Sequence, residues 1–386
     1  MLKKIVRDIL GKEYQTLNLI EVSKKALFNN FHFFQKQHPE ALVCPVLKSN
    51  AYGHGLKLVG KFVDEEIKPP FIIVDSLYEA YELSKVKIET PILIIGYTLP
   101  ANFKTWRKLN FTFPAYDEET IAALAKYQPE ARIHLKVDTG MSRLGIMPGQ
   151  VPDFIKLIKK YPRLQIEGIY SHLSQADNNR QKKFTEEQLK KFRWFINQFE
   201  QAGLRFKWKH LAATSGSYQI KDPEINLIRL GLGFYGISPF AKNSKINHKL
   251  KKNLQPALKL TSHLAQVKEI PPKSKISYGG TFTTKKKTTV GIIPFGYYDG
   301  LDRRLSNKGK IKIKNKFSKI LGRVCMNITI VDLNNVRHAK VGETVTIFDN
   351  NPESPNNIRN SAKLCQTIPY TLLVNLSETI RRRLVE

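Results

Sequence analysis

The chain has 386 residues, 41% hydrophobic and 25% charged, an ordinary globular balance that excludes wholesale disorder. No apolar run approaches the ~20 residues that span a bilayer, and three scattered cysteines, Cys44, Cys325 and Cys365, exclude a disulfide scaffold and a CxxC zinc site. A net charge of +30 attracts polyanions, but the basic residues are spread out and no RNP, zinc-finger or helix-turn-helix signature accompanies them.

Met1 to Leu10 lacks the ~7–15-residue apolar core of a signal peptide, so a cytoplasmic protein is expected. Over the first 240 residues, short β-branched or aromatic runs at 42–47, 71–75, 92–96, 111–115, 132–137, 165–170, 209–213 and 227–231 read as strands. Helical stretches at 22–37, 55–65, 77–85, 117–127, 152–160 and 183–202 lie between them, with start signals at Asp117 and Thr185. Alternation without hairpins predicts a parallel sheet. Eight repeats in about 240 residues fit an α/β fold with an N-terminal (β/α)8 TIM barrel; a doubly wound open sheet is the alternative.

Ala241 to Gln255 is polar and reads as a linker. Beyond it, apolar–polar alternation at 258–267, 288–293, 311–313, 329–333 and 344–348 predicts a C-terminal mostly β domain over 241–386. Pro352 to Asn360 reads as a polar loop, and a helix is expected around Tyr370 to Leu384.

The strongest local feature is Lys48-Ser49-Asn50-Ala51-Tyr52-Gly53-His54-Gly55, where an apolar strand ends in a lysine and a glycine-containing loop opens a helix. Such a lysine is either a snorkelling surface group or a Schiff-base amine at the C-terminal mouth of a barrel, where barrel enzymes keep their catalytic groups. Other strand ends lead into Lys136, Asp138 and Arg143, into His172 with Asp177 beyond, and from Arg229 into Gly231-Leu232-Gly233-Phe234-Tyr235-Gly236. That glycine run is a poor dinucleotide fingerprint, because no acidic residue follows about 20 positions on. After the last barrel strands, however, such loops bind phosphate through backbone N–H groups, and Thr214 and Ser215 add hydroxyls. A phosphate anchor facing a strand-end lysine suggests pyridoxal phosphate.

These motifs resemble the alanine racemase family over nearly the whole chain. The Lys48–Gly55 run is similar to its cofactor-lysine motif. Lys136-Val137-Asp138-Thr139-Gly140-Met141-Ser142-Arg143-Leu144-Gly145, Ser277-Tyr278-Gly279, Gly296-Tyr297-Tyr298-Asp299-Gly300 and Gly322-Arg323-Val324-Cys325-Met326 follow in the family's order. The resemblance implies interconversion of L- and D-alanine, for peptidoglycan, with pyridoxal 5'-phosphate on Lys48. Tyr278, contributed by the partner in a homodimer with composite sites, is then the opposed base. Protons must move on both faces of a planar carbanion, and two opposed bases do this directly. A free phenol is largely protonated at neutral pH; His172 and Arg229 are the family's candidates to activate it.

By the same resemblance Arg229 faces the pyridine nitrogen. Tyr52, Tyr370, Gly231, Leu232 and one of Thr214 or Ser215 hold the phosphate. Arg143 contacts the cofactor phenolic oxygen and the substrate carboxylate, and Met326 offers that carboxylate a backbone N–H. Lys136 is the family's site of carbamylation. Asp177, Tyr297, Arg303 and Arg323 match a substrate-entry corridor. No metal is implied. Two departures stand out: Asn327 follows Met326 where the family usually has Asp, and Ala212-Ala213-Thr214-Ser215-Gly216 leaves the phosphate hydroxyl ambiguous. A racemase of larger or basic amino acids and a nucleic-acid-binding protein are the competing functions; a non-catalytic pyridoxal-phosphate carrier is disfavoured because such barrels lack the second domain.

Overall fold

The computed structural model describes residues 15–105, 108–241 and 243–386; Met1 to Leu10, on which the expected location rests, lie outside these. Two compact units emerge: Ser23–Ala257, and Leu258–Val385 joined by the N-terminal segment up to Val22.

In the first unit, strands Ile72–Val74, Ile92–Ile94, Phe111–Ala115, Arg132–Lys136, Gln165–Tyr170 and Trp208–His210 form one parallel sheet in chain order. Leu42–Pro45 pairs in parallel with Leu227–Leu230. Bridges Val46 to Ile73 and Ala213 to Arg229 join the two sheets at both seams, closing the ring of eight strands. The expected barrel is therefore present, and the open-sheet alternative falls. Short apolar runs are suited to it, because parallel strands are covered on both faces.

The helices bury one stripe each. Lys24–Gln37 turns Ala26, Leu27, Phe31 and Phe34 inward, and its cap Ser23 accepts from Ala26 N. Glu118–Tyr127 is capped by Asp117, as expected. Thr185 is not a start: the last long barrel helix begins at Lys182, and Thr185 bonds back to the Gln181 carbonyl.

Lys316–Lys319, Lys310–Ile313, Thr344–Phe348, Leu258–His263, Leu19–Ser23 and Arg381–Val385 form the six-stranded sheet of the second unit, in that spatial order. Gln266–Ile270, Thr288–Ile293 and Thr329–Asp332 form a three-stranded antiparallel sheet. The mostly β character is as expected, and the compact units divide between Ala257 and Leu258. Leu19–Ser23 pairs antiparallel with Leu258–His263, which takes the N-terminal strand into the β unit. The expected linker contains the helix Lys245–Asn253, capped by the Ser244 hydroxyl and burying Asn247 and Leu250. So few apolar residues give almost no periodic signal. The expected terminal helix shortens to Pro369–Val374, and Arg381–Val385 is a strand beside Leu19–Ser23. That pairing is non-local and invisible to local pattern. No helix among the described residues is long and apolar enough to cross a membrane.

Candidate active site

Lys48 follows directly from the first barrel strand. Leu47 N donates to the Ile73 carbonyl at 2.7 Å, which fixes the strand end. Ser49, Asn50, Ala51 and Tyr52 are then all left-handed, with φ of 54°, 55°, 51° and 52°. For non-glycine residues this costs ~1–2 kcal/mol each, so the turn persists only because its surroundings hold it. Leu56 N donates to Asn50 Oδ1 at 2.7 Å, and the His54 ring nitrogen Nδ1 sits 3.1 Å and 3.0 Å from the carbonyls of Ala51 and Tyr52. The Lys48 ammonium, partly open to solvent, pairs with Asp75 at 3.1 Å.

Alternation along Arg132–Lys136 puts His134 and Lys136 on one face of that strand, and both are buried. Arg229, on the last barrel strand, is buried too. Its Nη1 donates to Nδ1 and the carbonyl of His210, and its Nη2 to the carbonyls of Ser171 and Leu211 and, at 3.2 Å, to Nδ1 of His172. Nε takes no part in these bonds. A guanidinium only donates, so His172 accepts at Nδ1 and carries its proton on Nε2. Burial, then the Arg229 and Arg143 charges, push the His172 imidazole down to about 3, so it is neutral at physiological pH. Burial lowers the Arg229 guanidinium to about 10, still cationic at neutral pH.

Lys136 donates to the Ile95 carbonyl at 3.4 Å and lies over the rings of Tyr170 and Tyr116. Burial, then the like charges of Arg143 and Arg229, lower it to about 8. Asp138 gathers the amides of Gly140, Met141, Ser142 and Arg143, which shapes the loop that carries the exposed Arg143 side chain.

After the last strand, the carbonyls of Gly231, Leu232 and Gly233 accept from Phe234, Tyr235 and Gly236, so the turn is closed without the amides of Gly231 and Leu232. A Cβ at Gly231 would lie 2.7 Å from Tyr52 Oη, which explains the glycine. Thr214 is buried and its hydroxyl oxygen accepts from Gly233 N at 3.2 Å. Ser215 is half-buried and makes no cap bond to the short helix Gly216–Gln219.

The β unit gathers its own cluster. Tyr278 is 70% exposed at the head of a short turn. Ser277 before it has φ of 62° and ψ of −178°, a strained conformation for a non-glycine residue. Its hydroxyl donates to the Arg323 carbonyl at 2.6 Å and lies 3.3 Å from the Cys325 sulfur. Tyr297 N and Tyr298 N donate to the carbonyls of Cys325 and Met326, and a Cβ at Gly296 would meet those carbonyls at 2.3 Å. Tyr278, Tyr297, Arg323 and Met326 therefore share one region, all exposed or partly so. The turn carrying the exposed Arg303 joins it, because the Ser306 hydroxyl accepts from Val324 N at 3.0 Å. Tyr370 is half-buried on Pro369–Val374. Asp177 is exposed after the sixth barrel strand, and Asn327 is exposed beside Met326.

Sequence reasoning missed Asp75, the left-handed turn, His134 and His210. Two-residue alternation back from Lys136 could have found His134; nothing local marks the rest.

Comparison with known proteins places the chain in a family. Residues 22–239 match the model of the alanine racemase N-terminal domain, and residues 257–384 that of the C-terminal domain. An alanine racemase of Methanococcus maripaludis is 33% identical over 368 residues, covering 94% of this chain and 97% of that protein. The solved alanine racemase of Clostridium difficile 630 superposes with a TM-score of 0.89 at 29% identity over 97% of both chains. One from a D-cycloserine-producing Streptomyces lavendulae gives 0.89 at 25% identity, covering 97% of this chain and 98% of that one. With both domains matched and relatives covered almost end to end, the chain belongs to the alanine racemase family.

Proposed function

We propose that this chain interconverts L- and D-alanine with pyridoxal 5'-phosphate, using Lys48 and Tyr278 as bases on opposite faces of the substrate. The observation that carries this is a solvent-reachable lysine at the barrel mouth in a unit whose buried arginine keeps Nε uncommitted. The residues fit the cofactor. Lys48 offers the amine, the Gly231–Tyr52 cradle leaves room that a Cβ would fill, and Arg229 offers Nε–H to a ring nitrogen. Of the two candidate phosphate hydroxyls, that of Thr214 accepts from Gly233 N and keeps its O–H to donate, so Thr214 and Ser215 both remain candidates. Gly231, Leu232, Tyr52 and Tyr370 complete that anchor.

When bound, pyridoxal phosphate supplies an aldehyde for the amine and a conjugated ring that spreads charge from the substrate α-carbon. Lys48 Nζ moves a proton at that carbon on one face, and Tyr278 Oη on the other. Arg229 holds the ring nitrogen without protonating it, because a guanidinium is a donor that keeps its proton. Its grip on His172 Nδ1 leaves Nε2–H as a donor, suited to stabilise a deprotonated phenol. Arg143 and the Met326 amide receive the substrate carboxylate. Tyr278 comes from a second copy, which makes the enzyme a homodimer with shared sites. Asp177, Tyr297, Arg303 and Arg323 line the approach, and the paired arginines attract the anionic end of the amino acid.

Lys136 is the carbamylation site in this reading. Its lowered proton affinity leaves more neutral amine to add carbon dioxide, forming a carbamate and releasing a proton. The product turns a cation near Arg143 into a partner for it. A carbon-13 NMR signal from labelled bicarbonate, absent in Lys136→Ala, tests this. The enzyme works in the cytoplasm and supplies D-alanine for peptidoglycan. A panel of L-amino acids assayed for the D-product tests the substrate: alanine turns over fastest, and lysine outpacing alanine would overturn the assignment.

A further inference from the structure

Glu79 lies outside every motif considered so far. It sits at the third position of the helix Leu77–Ser84, on the segment after the second barrel strand, and is 9% exposed. Part of its role is local: with Ser76 it forms a capping box. The rest is not. Its Oε1 accepts from Ser49 N at 2.5 Å, and its Oε2 accepts from Asp75 N at 2.8 Å.

These two amides matter. Ser49 directly follows Lys48 and is the first of four consecutive left-handed residues. Asp75 is the ion partner of Lys48. One buried carboxylate thus ties down both the backbone that carries the amine and the backbone that carries its counter-ion, across two neighbouring strands. A left-handed turn of non-glycine residues opposes its own conformation, so a fixed acceptor at its first amide is what such a turn requires.

We propose that Glu79 is a positioning residue for Lys48: it holds the left-handed turn and Asp75 in register, and so sets where the amine stands at the barrel mouth. This rests on the reading of Lys48 as the cofactor-binding lysine. Displacing a reacting group by about 1 Å costs on the order of 10²-fold in rate, so the effect belongs in kcat and in the rate at which the amine captures the cofactor.

Glu79→Gln replaces one acceptor oxygen by an NH2 that cannot accept from a backbone amide. In the full-length protein we expect a parental far-UV spectrum. In cofactor-free protein, hydrogen exchange over residues 48–56 should rise about tenfold or more while Phe111–Ala115 and Gln165–Tyr170 keep their protection. Capture of added pyridoxal phosphate in a borohydride-fixable form should slow about tenfold, and kcat should fall by at least that much with KM for alanine within about threefold. Glu79→Asp keeps both acceptor oxygens but shortens the reach, and should fall between; it also carries the test if the glutamine variant fails to fold.

Unchanged exchange over 48–56 would overturn the proposal, as would a uniform rise across the barrel, which would make Glu79 a general stabiliser. Failure of the underlying reading looks different. If Lys48→Ala still forms the fixable adduct, Lys48 loses its role whatever Glu79 does to exchange.

Discussion

Arg229 Nη1 lies 2.8 Å from Nδ1 of His210, deep in the barrel. Since the guanidinium can only donate, His210 carries its proton on Nε2 and presents it to Nδ1 of His134, 2.9 Å away. His134 then holds its own proton on Nε2, a buried atom without a hydrogen-bond partner. The relay works only with both imidazoles neutral, because an added proton would set one N–H against another.

Acid sensitivity follows. Burial, then the Arg229 charge, push His134 and His172 to about 3 and His210 well below its usual range. Unfolded, each titrates near the ordinary 6.5. Below that pH the unfolded chain binds more protons, so stability is complete above 6.5 and is lost as pH falls towards the folded values. Each group contributes about 1.4 kcal/mol per pH unit. Urea midpoints should drop between about pH 7 and pH 5, and less steeply in His134→Leu. A flat profile would refute the neutral relay.

Arg229→Gln should be severe. The carbonyls of Ser171, His210 and Leu211 all receive Arg229 N–H groups, as do two imidazoles. Leaving several buried acceptors unpaired costs ~1–3 kcal/mol each. Chemical denaturation should show a loss of at least ~3 kcal/mol, and a loss below ~1 kcal/mol would contradict this accounting.

Gly231→Ala tests the phosphate anchor. The added methyl meets Tyr52 Oη at 2.7 Å and must displace it. Equilibrium titration should show pyridoxal phosphate binding weakened roughly tenfold, equivalent to ~1.4 kcal/mol. Parental affinity would move the anchor elsewhere.

Tyr278→Phe keeps the ring and removes the proton carrier. In deuterated water each enantiomer can be followed separately for α-hydrogen exchange. L-alanine should lose exchange by about 10² or more, whereas D-alanine, served by Lys48, should retain much of it. Equal exchange from both enantiomers would sink the two-base assignment.

Much of this fold is written locally in the chain. The barrel strands from Ile72–Val74 to Leu227–Leu230 are short apolar runs between helices with polar caps, such as Asp117, and each stands close to where its pattern puts it. Leu19–Ser23 and Arg381–Val385 defeat local reading, because their partners lie far along the chain. Site residues at strand ends, Lys48 and Arg229 among them, are legible because barrel topology collects strand ends on one face. Asp75, Glu79 and His210 are not. Their roles come from bonds to Lys48, Ser49 and Arg229 that exist only after the sheet closes.

The central claim is that Lys48 carries the cofactor. Borohydride reduction of the protein loaded with pyridoxal phosphate, followed by peptide mapping, addresses it directly. The account predicts a pyridoxyl group on Lys48 and none in Lys48→Ala. A pyridoxyl group on another lysine, or none in the parent, would contradict it.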